Sequence, residues 1–589
     1  FFIMTDYFDI PTPNYNLTVP YDNIAKILEY NAQNYPQNQF LGYLNPEPTF
    51  ISYQQALSIV NSISFSIMQK NVSKIGFYAP NCVEFVLLDL VCAQTGIVFV
   101  PLYDTQPQEE IKLMVKEQDL KLIFTTEKLY KNLSFKEDAD LFFLDYSMTN
   151  QESHEFTFKK LIQTQKYEEY AQNAIFTVLY TSGSTGVPKG VMLKQSAMLS
   201  TAYNVSKLLM KPFKNVEQET ILVILPLAHV YMRNMIYAGM FNHNRFCFPS
   251  ADLFKSFQIF QPTFLIVVPR LMQKIFMVLK QQIPNIDQLQ KEINEFHANY
   301  QMQNPEYETI ATTPDVMEQK RFSFETETSL KVQQFLGGKV HSITVGAAPM
   351  DRNLSKFFGY SLNCSMMEGY GMTETCGAIA CNNLLEHHWD STGENLGHGM
   401  RLKLLKDTSE TSQSELPQSE QTVIGELQVK SEAVFSGYFG QEPTPEWFST
   451  SDIFEYNLVT KRLRILERNS RVCKLSNGEF VMPSRIEEII KQFVQTDQFC
   501  IIADGKLGRV VLAAQDCLKI TPEELYKSLK ETTKLKGFEI PKLFVIDKQW
   551  QVGKELTQSL KIKTHQVKKR VWGVIEQNNP DAFAVVRVE

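Results

Sequence analysis

Between Leu179 and Leu193 the chain reads LYTSGSTGVPKGVML, setting three glycines, two serines, two threonines and one lysine into one short stretch. Gly183, Gly186 and Gly190 free the backbone to curl with its N–H groups facing inward. The hydroxyls of Thr181, Ser182, Ser184 and Thr185 and the ammonium of Lys189 add donors, so the inventory suits a polyphosphate. It is not the loop of the common nucleotide triphosphatases. That loop needs G-x-x-x-x-G-K-[ST], and here Lys189 follows Pro188 and precedes Gly190. A plain flexible turn is the competing reading of such a composition.

Such a loop needs a rigid support. The residues before it, AIFTVLY from Ala174 to Tyr180, are rich in apolar and aromatic side chains and lack Gly and Pro, which predicts a buried strand. Around it, amphipathic helices alternate with short β-rich runs from Thr49 to Thr105, the rhythm of a layered α/β fold. At 589 residues the chain exceeds one core, so more than one packing unit is expected. Two segments break the rhythm: Lys280 to about Val332, rich in Gln, Asn and Glu, and the nearly all-polar Lys406 to Thr422. Both read as surface insertions, the second as a mobile loop. A polar junction at Glu467 to Arg471 precedes a stretch with its own helix and strand signals. The expected boundary therefore divides residues 1–468 from residues 469–589.

With 44% hydrophobic and 21% charged residues the composition is that of an ordinary globular protein. A net charge of −7 without a long basic run speaks against a nucleic-acid partner. The nine cysteines form no C-x-x-C pair, which indicates neither a zinc site nor a disulfide framework and points to a reducing, cytoplasmic setting. The longest apolar run, FVLLDLVCAQTGIVFVPL, carries Asp89, Gln94 and Pro101 and reads as core helix plus strand, not as a membrane span. The opening FFIM is too short for a signal peptide, and Met4 is a candidate translation start. Peripheral contact with an intracellular membrane and the oligomeric state are left open by these residues.

Eight further blocks follow the loop: ILPLAHV, QPTFLIVVPRL, TVGAAPM, MEGYGMTETCGA, GELQVK, FSTSDI, LRILERNSRVCKLSNGEFV and ELTQSLKIKTHQVKKR. In this order and at these spacings they resemble the adenylate-forming superfamily. Within it, the KLSNGEFV and LPLAHV wording resembles the long-chain fatty acyl-CoA synthetases. The resemblance implies a large multi-layer α/β N-terminal domain that binds AMP and the acyl chain, and a small mobile C-terminal α+β lid. It implies ATP, Mg²⁺ and coenzyme A as cofactor and co-substrates, a fatty acid as the acid, and release of AMP and pyrophosphate.

By the same resemblance, Thr181, Ser182, Gly183, Ser184, Thr185, Gly186 and Lys189 wrap the β- and γ-phosphates, and Lys189 is also partly structural. Glu374 holds Mg²⁺ with a loop hydroxyl, Ser184 or Thr185; the bland alternative is a solvated or capping carboxylate. Tyr370 stacks on adenine, with Gly371 and Thr373 of the same block beside it and Gly346, Ala347 and Ala348 as a small-residue wall. GAAP also reads as a tight turn packed on a helix. Asp452 accepts both ribose hydroxyls, and Arg468 is a further partner of the ribose at the domain junction; each would otherwise be a surface ion-pair residue. Lys561 takes the place of the adenylation lysine, with several lysines, Lys554 and Lys563 among them, as neighbouring candidates.

The chain departs from the family pattern at several points. Asn469, Ser470 and Arg471 stand where Lys-Lys-Asp is common, Ser451 where glycine is usual, Gln195 where histidine is frequent, and Met232 where an acid is frequent. His229 reads either as a lining of the acyl pocket or as a hydrogen-bonded core histidine. The rival functions are a ligase for an aryl or medium-chain acid, and a pseudoenzyme that binds fatty acid or nucleotide.

Overall fold

The structure is a computed structural model and describes residues 7–12, 18–131, 133, 139–145, 147, 156–171, 175–182, 188–208, 216–303, 326–382, 391–395, 399–405, 421–475, 479–494, 496, 498–504, 509–548, 550–551, 554–556, 562–578 and 583–588. The chain divides into two compact units. The larger comprises Thr12–Arg401 and Lys430–Glu446, the smaller Phe1–Pro11, Leu402–Val429 and Trp447–Glu589.

Among the described residues the larger unit holds two sheets. The first has seven strands in the order Gly437–Tyr438, Pro188–Leu193, Thr177–Ser182, Val98–Leu102, Lys74–Tyr78, Leu122–Thr125 and Asp140–Phe143. The run AIFTVLY thus ends in a central strand, as its composition predicts. Lys74–Tyr78 and Val98–Leu102 pair in parallel, and the helix between them, Val83–Thr95, is buried on every side. The apolar run containing Asp89 is therefore core helix and strand, as read. The second sheet has nine strands, and its parallel centre places Phe264–Val267 beside Ser342–Val345 and that beside Ser365–Met372. Among the described residues, no helix is long and apolar enough to cross a membrane.

Asp89 survives burial because it is paired. Arg233, on the helix Val230–Met240 and 1% exposed, donates from Nε to Asp89 Oδ2 at 2.8 Å, and from Nη2 to Oδ1. Its Nη1 donates to Thr177 Oγ1 at 2.8 Å, on the first residue of the strand that leads to the glycine loop. The rings of Phe99 and Phe176 lie 5.3 and 4.8 Å from the guanidinium carbon. Burial pulls the guanidinium's pKa down, but Asp89 and Tyr237 more than restore it, so its net direction is up and the charge is kept.

The segment from Lys280 to Val332 is not a surface insertion throughout. Helices Ile286–Gln303 and Glu327–Phe335 send Ile286, Leu289, Ile293 and Val332 into a core that also holds Leu279, Phe357 and Phe358. Helical spacing gathers these few apolar residues on one stripe, while the polar residues that dominate the composition cover the other face. Residues 304–325 and 406–420 lie outside the described residues.

In the smaller unit, an antiparallel sheet includes Thr422–Lys430, Phe448–Asn457 and Leu463–Arg468. A second sheet runs Phe499–Asp504, Arg509–Gln515, Leu543–Asp547 and Ala584–Val588. Along its first strand Phe499 and Ile501 enter one core, Cys500 and Ile502 another, because successive side chains point to opposite faces and both faces are covered. The polar junction also differs from a simple exposed linker. Glu467 is buried and accepts from the Ser484 backbone N–H at 2.6 Å and from its hydroxyl at 2.9 Å. Arg471 reaches Glu487 at 2.6 Å and Glu467 at 3.8 Å, tying the turn Asn469–Arg471 to the helix Pro483–Lys491.

Arg233→Met should lower the unfolding free energy of the larger unit by about 3–5 kcal/mol, because the Asp89 carboxylate would be left buried without its counter-charge. The double substitution Asp89→Leu with Arg233→Met should cost much less than either change alone, as read by denaturant unfolding.

Candidate active site

The glycine loop is held at both ends by one antiparallel ladder, in which Tyr180 faces Gly190, Thr181 faces Lys189 and Ser182 faces Pro188. Gly183, Ser184, Thr185 and Gly186 and the side chain of Ser182 lie outside the described residues, so the described part of the loop's donor set is Thr181 and Lys189. Gly190 has a packing reason of its own. A Cβ there would stand 2.9 Å from a Val178 methyl and 3.3 Å from Phe439 Cβ.

A second segment pairs along the outer edge of this ladder. Gly437 and Tyr438 pair with Met192 and Val191, with Phe439 N–H donating to Gly190 O at 2.7 Å and Ser436 N–H to Met192 O at 2.9 Å. From the same segment, Phe435 N–H donates to Glu374 O at 2.8 Å and the Tyr438 hydroxyl to Glu374 Oε1 at 2.9 Å. Lys189 Nζ lies 5.0 Å from the centroid of the Tyr438 ring. The structure thus brings two predicted residues, Lys189 and Glu374, onto one side chain that sequence reasoning missed. The Gly-Tyr of SGYFG was the available signal, but nothing local in it reports a contact with residue 374.

Glu374 sits in a single turn, Thr373–Thr375, after the strand Ser365–Met372. The Thr375 hydroxyl accepts from Met372 N–H at 3.2 Å and lies 2.9 Å from Gly377 O, closing the turn. Cys376 follows in the left-handed region at φ 56°, and its carbonyl accepts from Asn234 Nδ2 at 2.6 Å. Burial pushes the Cys376 thiol's pKa well up, so the cysteine next to the site is a packed thiol, not a nucleophile. Glu374 is 8% exposed, and among the described residues only Tyr438 hydrogen-bonds its carboxylate, through Oε1. No group of three or more His, Cys, Asp or Glu gathers among the described residues. One hard carboxylate held by the side chain that also meets Lys189 fits Mg²⁺, which keeps waters and substrate oxygens in its shell instead of filling a protein cage.

The predicted adenine wall gathers at one end of the second sheet. Val345 is paired with Glu368, so Gly346, which follows the end of its strand, comes next to Gly369, which with Tyr370 and Gly371 continues the neighbouring strand Ser365–Met372. Gly346 is buried, Ala347 half-buried and Ala348 exposed. Ala347 holds φ 72°, a conformation non-glycine residues seldom take and which concentrates at functional sites. Gly371 is also sterically required, since a Cβ there would stand 1.9 Å from Gly377 O, and one on Gly346 would crowd the Tyr231 ring at 3.0 Å. Tyr370 is half-buried and Thr373 buried. His229 caps the helix Val230–Met240, its Nδ1 accepting from Tyr231 N–H at 3.2 Å. His229 is half-buried, whereas Gln195 is a core group, accepting from Ile24 N–H at 2.6 Å.

In the smaller unit, Asp452 and Arg468 face each other across paired strands, with Arg468 Nε 3.2 Å from Asp452 Oδ1. The carboxylate is 2% exposed and the arginine 63%, so the pair combines a fixed acceptor with a reachable cation. Ser451 beside it holds φ 58°, which explains why a glycine suits that position. Lys561 lies outside the described residues. On its C-terminal side Ile562 bridges to Leu556, and Lys563 N–H donates to Glu555 O at 2.7 Å just before the helix Thr564–Gln577.

The profile of the AMP-binding enzyme family matches residues 28–439. The chain is similar to long chain acyl-CoA synthetase 2 of Arabidopsis thaliana, 25% identical over 93% of this chain and 90% of that protein. It is also similar to long-chain-fatty-acid–CoA ligase 1 of Homo sapiens, 26% identical over 76% of this chain and 67% of that one. Among solved structures, an anthranilate CoA ligase in complex with anthranoyl-AMP superposes with a TM-score of 0.71 at 16% identity, covering 95% of this chain and 99% of the other. The Bacillus subtilis o-succinylbenzoate coenzyme A synthetase in complex with ATP and magnesium gives 0.64 at 17%, covering 92% and 99%. The fold is that of the adenylate-forming enzymes, as the motif series implies, and the chain belongs to the AMP-binding enzyme family.

Proposed function

We propose that the chain is an AMP-forming acid–thiol ligase whose acid is a long-chain fatty acid. One observation carries the ligase reading: Lys189 and Glu374 meet on Tyr438 where the glycine loop leaves its ladder, one cation and one hard carboxylate beside donors suited to a polyphosphate. The long-chain reading is supported by the names of the plant and human relatives and by the LPLAHV and KLSNGEFV wording.

A carboxylate is a poor electrophile. In the proposed reaction one carboxylate oxygen attacks the α-phosphorus of ATP, and pyrophosphate leaves with the electron pair of the broken P–O bond. The sulfur of the deprotonated CoA thiol then attacks the acyl carbon, and AMP departs with the former carboxylate oxygen. Most of the protein's contribution is charge stabilisation and positioning. Lys189 and the loop Thr181–Gly190 hold the β- and γ-phosphates. Glu374, with Ser184 or Thr185, holds the Mg²⁺, which when bound supplies positive charge to the phosphate oxygens. Tyr370, with Gly371, Thr373 and the Gly346–Ala348 wall, takes the adenine, Asp452 and Arg468 the ribose, and Lys561 the charge that gathers between carboxylate and phosphate. Residues 469–589 form the lid, with its hinge at Arg468–Arg471.

A panel of acids with Mg-ATP and CoA tests the acid class through AMP formation. Each buried methylene is worth about 0.8 kcal/mol, yet a one-methylene difference discriminates only about 10 to 200-fold at best. A broad optimum among long chains is expected, and preference for acetate or an aromatic acid over a palmitate-like chain would refute the long-chain assignment. Lys561→Ala should slow acyl-adenylate formation by about a hundredfold to a thousandfold, by analogy with loss of one oxyanion donor. Supplied acyl-adenylate should still be converted to acyl-CoA at near the unmodified rate, while Lys554→Ala and Lys563→Ala should be much milder in the first step. Equal damage to both steps would remove the role from Lys561.

A further inference from the structure

Tyr438 stands where the phosphate-holding and metal-holding parts of the larger unit meet, and its placement is built from several directions. Its backbone is registered on the strand Pro188–Leu193 opposite Val191. Gly437 before it takes φ 137°, and a Cβ there would come within 3.0 Å of Glu442 O, so the turn that delivers the ring requires a residue without a side chain. The Phe435 ring packs edge-on against the tyrosine ring at 4.9 Å between centroids. The four residues 435–438 thereby hold Glu374 twice, at its carbonyl and at its carboxylate, while pairing with the strand that carries Lys189.

We propose that Tyr438 is a positioning residue: its hydroxyl fixes Glu374 through Oε1 and leaves Oε2 for Mg²⁺, and its ring face seats the Lys189 ammonium. The metal-holding carboxylate and the phosphate-holding cation are thus set relative to each other by one side chain. Burial first, then the charge of Glu374 and the hydrogen bond to it, push the phenol's pKa up, so the hydroxyl remains a donor throughout the neutral range. A hydrogen bond to a charged acceptor is stronger than one between neutral groups, and this one holds the carboxylate in a single orientation. The ring contributes separately, because a cation over a tyrosine face is attracted by its quadrupole. The inference rests on the reading of Glu374 as the metal-holding residue and Lys189 as a phosphate-holding one.

The test is calorimetric binding of ATP to the full-length protein, without acid or CoA, across a series of free Mg²⁺ concentrations. Tyr438→Phe should raise the Mg²⁺ midpoint roughly tenfold while changing ATP affinity at saturating Mg²⁺ less than about twofold. Tyr438→Leu, which removes the ring as well, should also weaken ATP binding at saturating Mg²⁺ by about two- to fivefold. Glu374→Gln should shift the midpoint on its own, and adding Tyr438→Phe to it should shift it no further, because the hydroxyl acts through that carboxylate. An unchanged midpoint in Tyr438→Phe alongside a shifted one in Glu374→Gln would overturn the inference and spare the metal reading. Equal shifts by Tyr438→Phe with and without Glu374→Gln would likewise overturn it. No shift in Glu374→Gln would remove the metal role itself and the inference with it.

Discussion

The ladder between Thr177–Ser182 and Pro188–Leu193 is the constraint on which the site depends. A loop that binds polyphosphate gains from glycines because they let backbone donors converge, but the same freedom costs entropy when the loop is ordered. Pairing both stems confines that cost to the few residues between them. It also places Lys189 opposite Thr181, so one donor from each stem stands at the loop's mouth. A slip of one residue would turn every side chain of the stem to the other face. The added strand Gly437–Tyr438 secures one side of the ladder and the strand Val98–Leu102 the other.

Beneath the ladder lies a charge the core could not tolerate unpaired. Arg233 joins the strand bearing the loop, through Thr177, to the buried helix bearing Asp89. An apolar trio of similar volume could pack there at little cost in stability. What the guanidinium adds is direction, since its planar fork matches a carboxylate and a hydroxyl at fixed angles and so orients the first residue of the strand. The helix Val230–Met240, which carries Arg233, also supplies Asn234, which holds the carbonyl of Cys376 after the Glu374 turn. One helix therefore braces the strand that leads into the glycine loop and the turn that carries Glu374 together, while Tyr438 touches both Lys189 and Glu374.

How much of this was legible in the sequence depends on whether the determinant is local. The strand before the loop showed in the unbroken apolar run AIFTVLY, and the loop itself in its glycines and hydroxyls. The helix Ile286–Gln303 was misread as surface insertion because composition weighs every residue alike, whereas burial is decided by Ile286, Leu289 and Ile293 on one stripe. Glu467 looked like part of an exposed junction, yet it is buried because Ser484, seventeen residues on, satisfies it. Tyr438 was invisible for the same reason: its partners are 64 and 249 residues away, at Glu374 and Lys189. Several glycines read as nucleotide contacts also carry a packing reason. Gly371 could not bear a side chain beside Gly377 O whatever the site binds.

The central claim is that this site activates a carboxylate at the α-phosphate of ATP. Exchange of labelled pyrophosphate into ATP, measured with Mg²⁺ and a long-chain fatty acid but without CoA, tests it most directly. The account predicts exchange that requires the acid and the metal and is lost in the Lys189→Ala protein. Release of ADP and phosphate, or turnover of ATP indifferent to the acid, would contradict it.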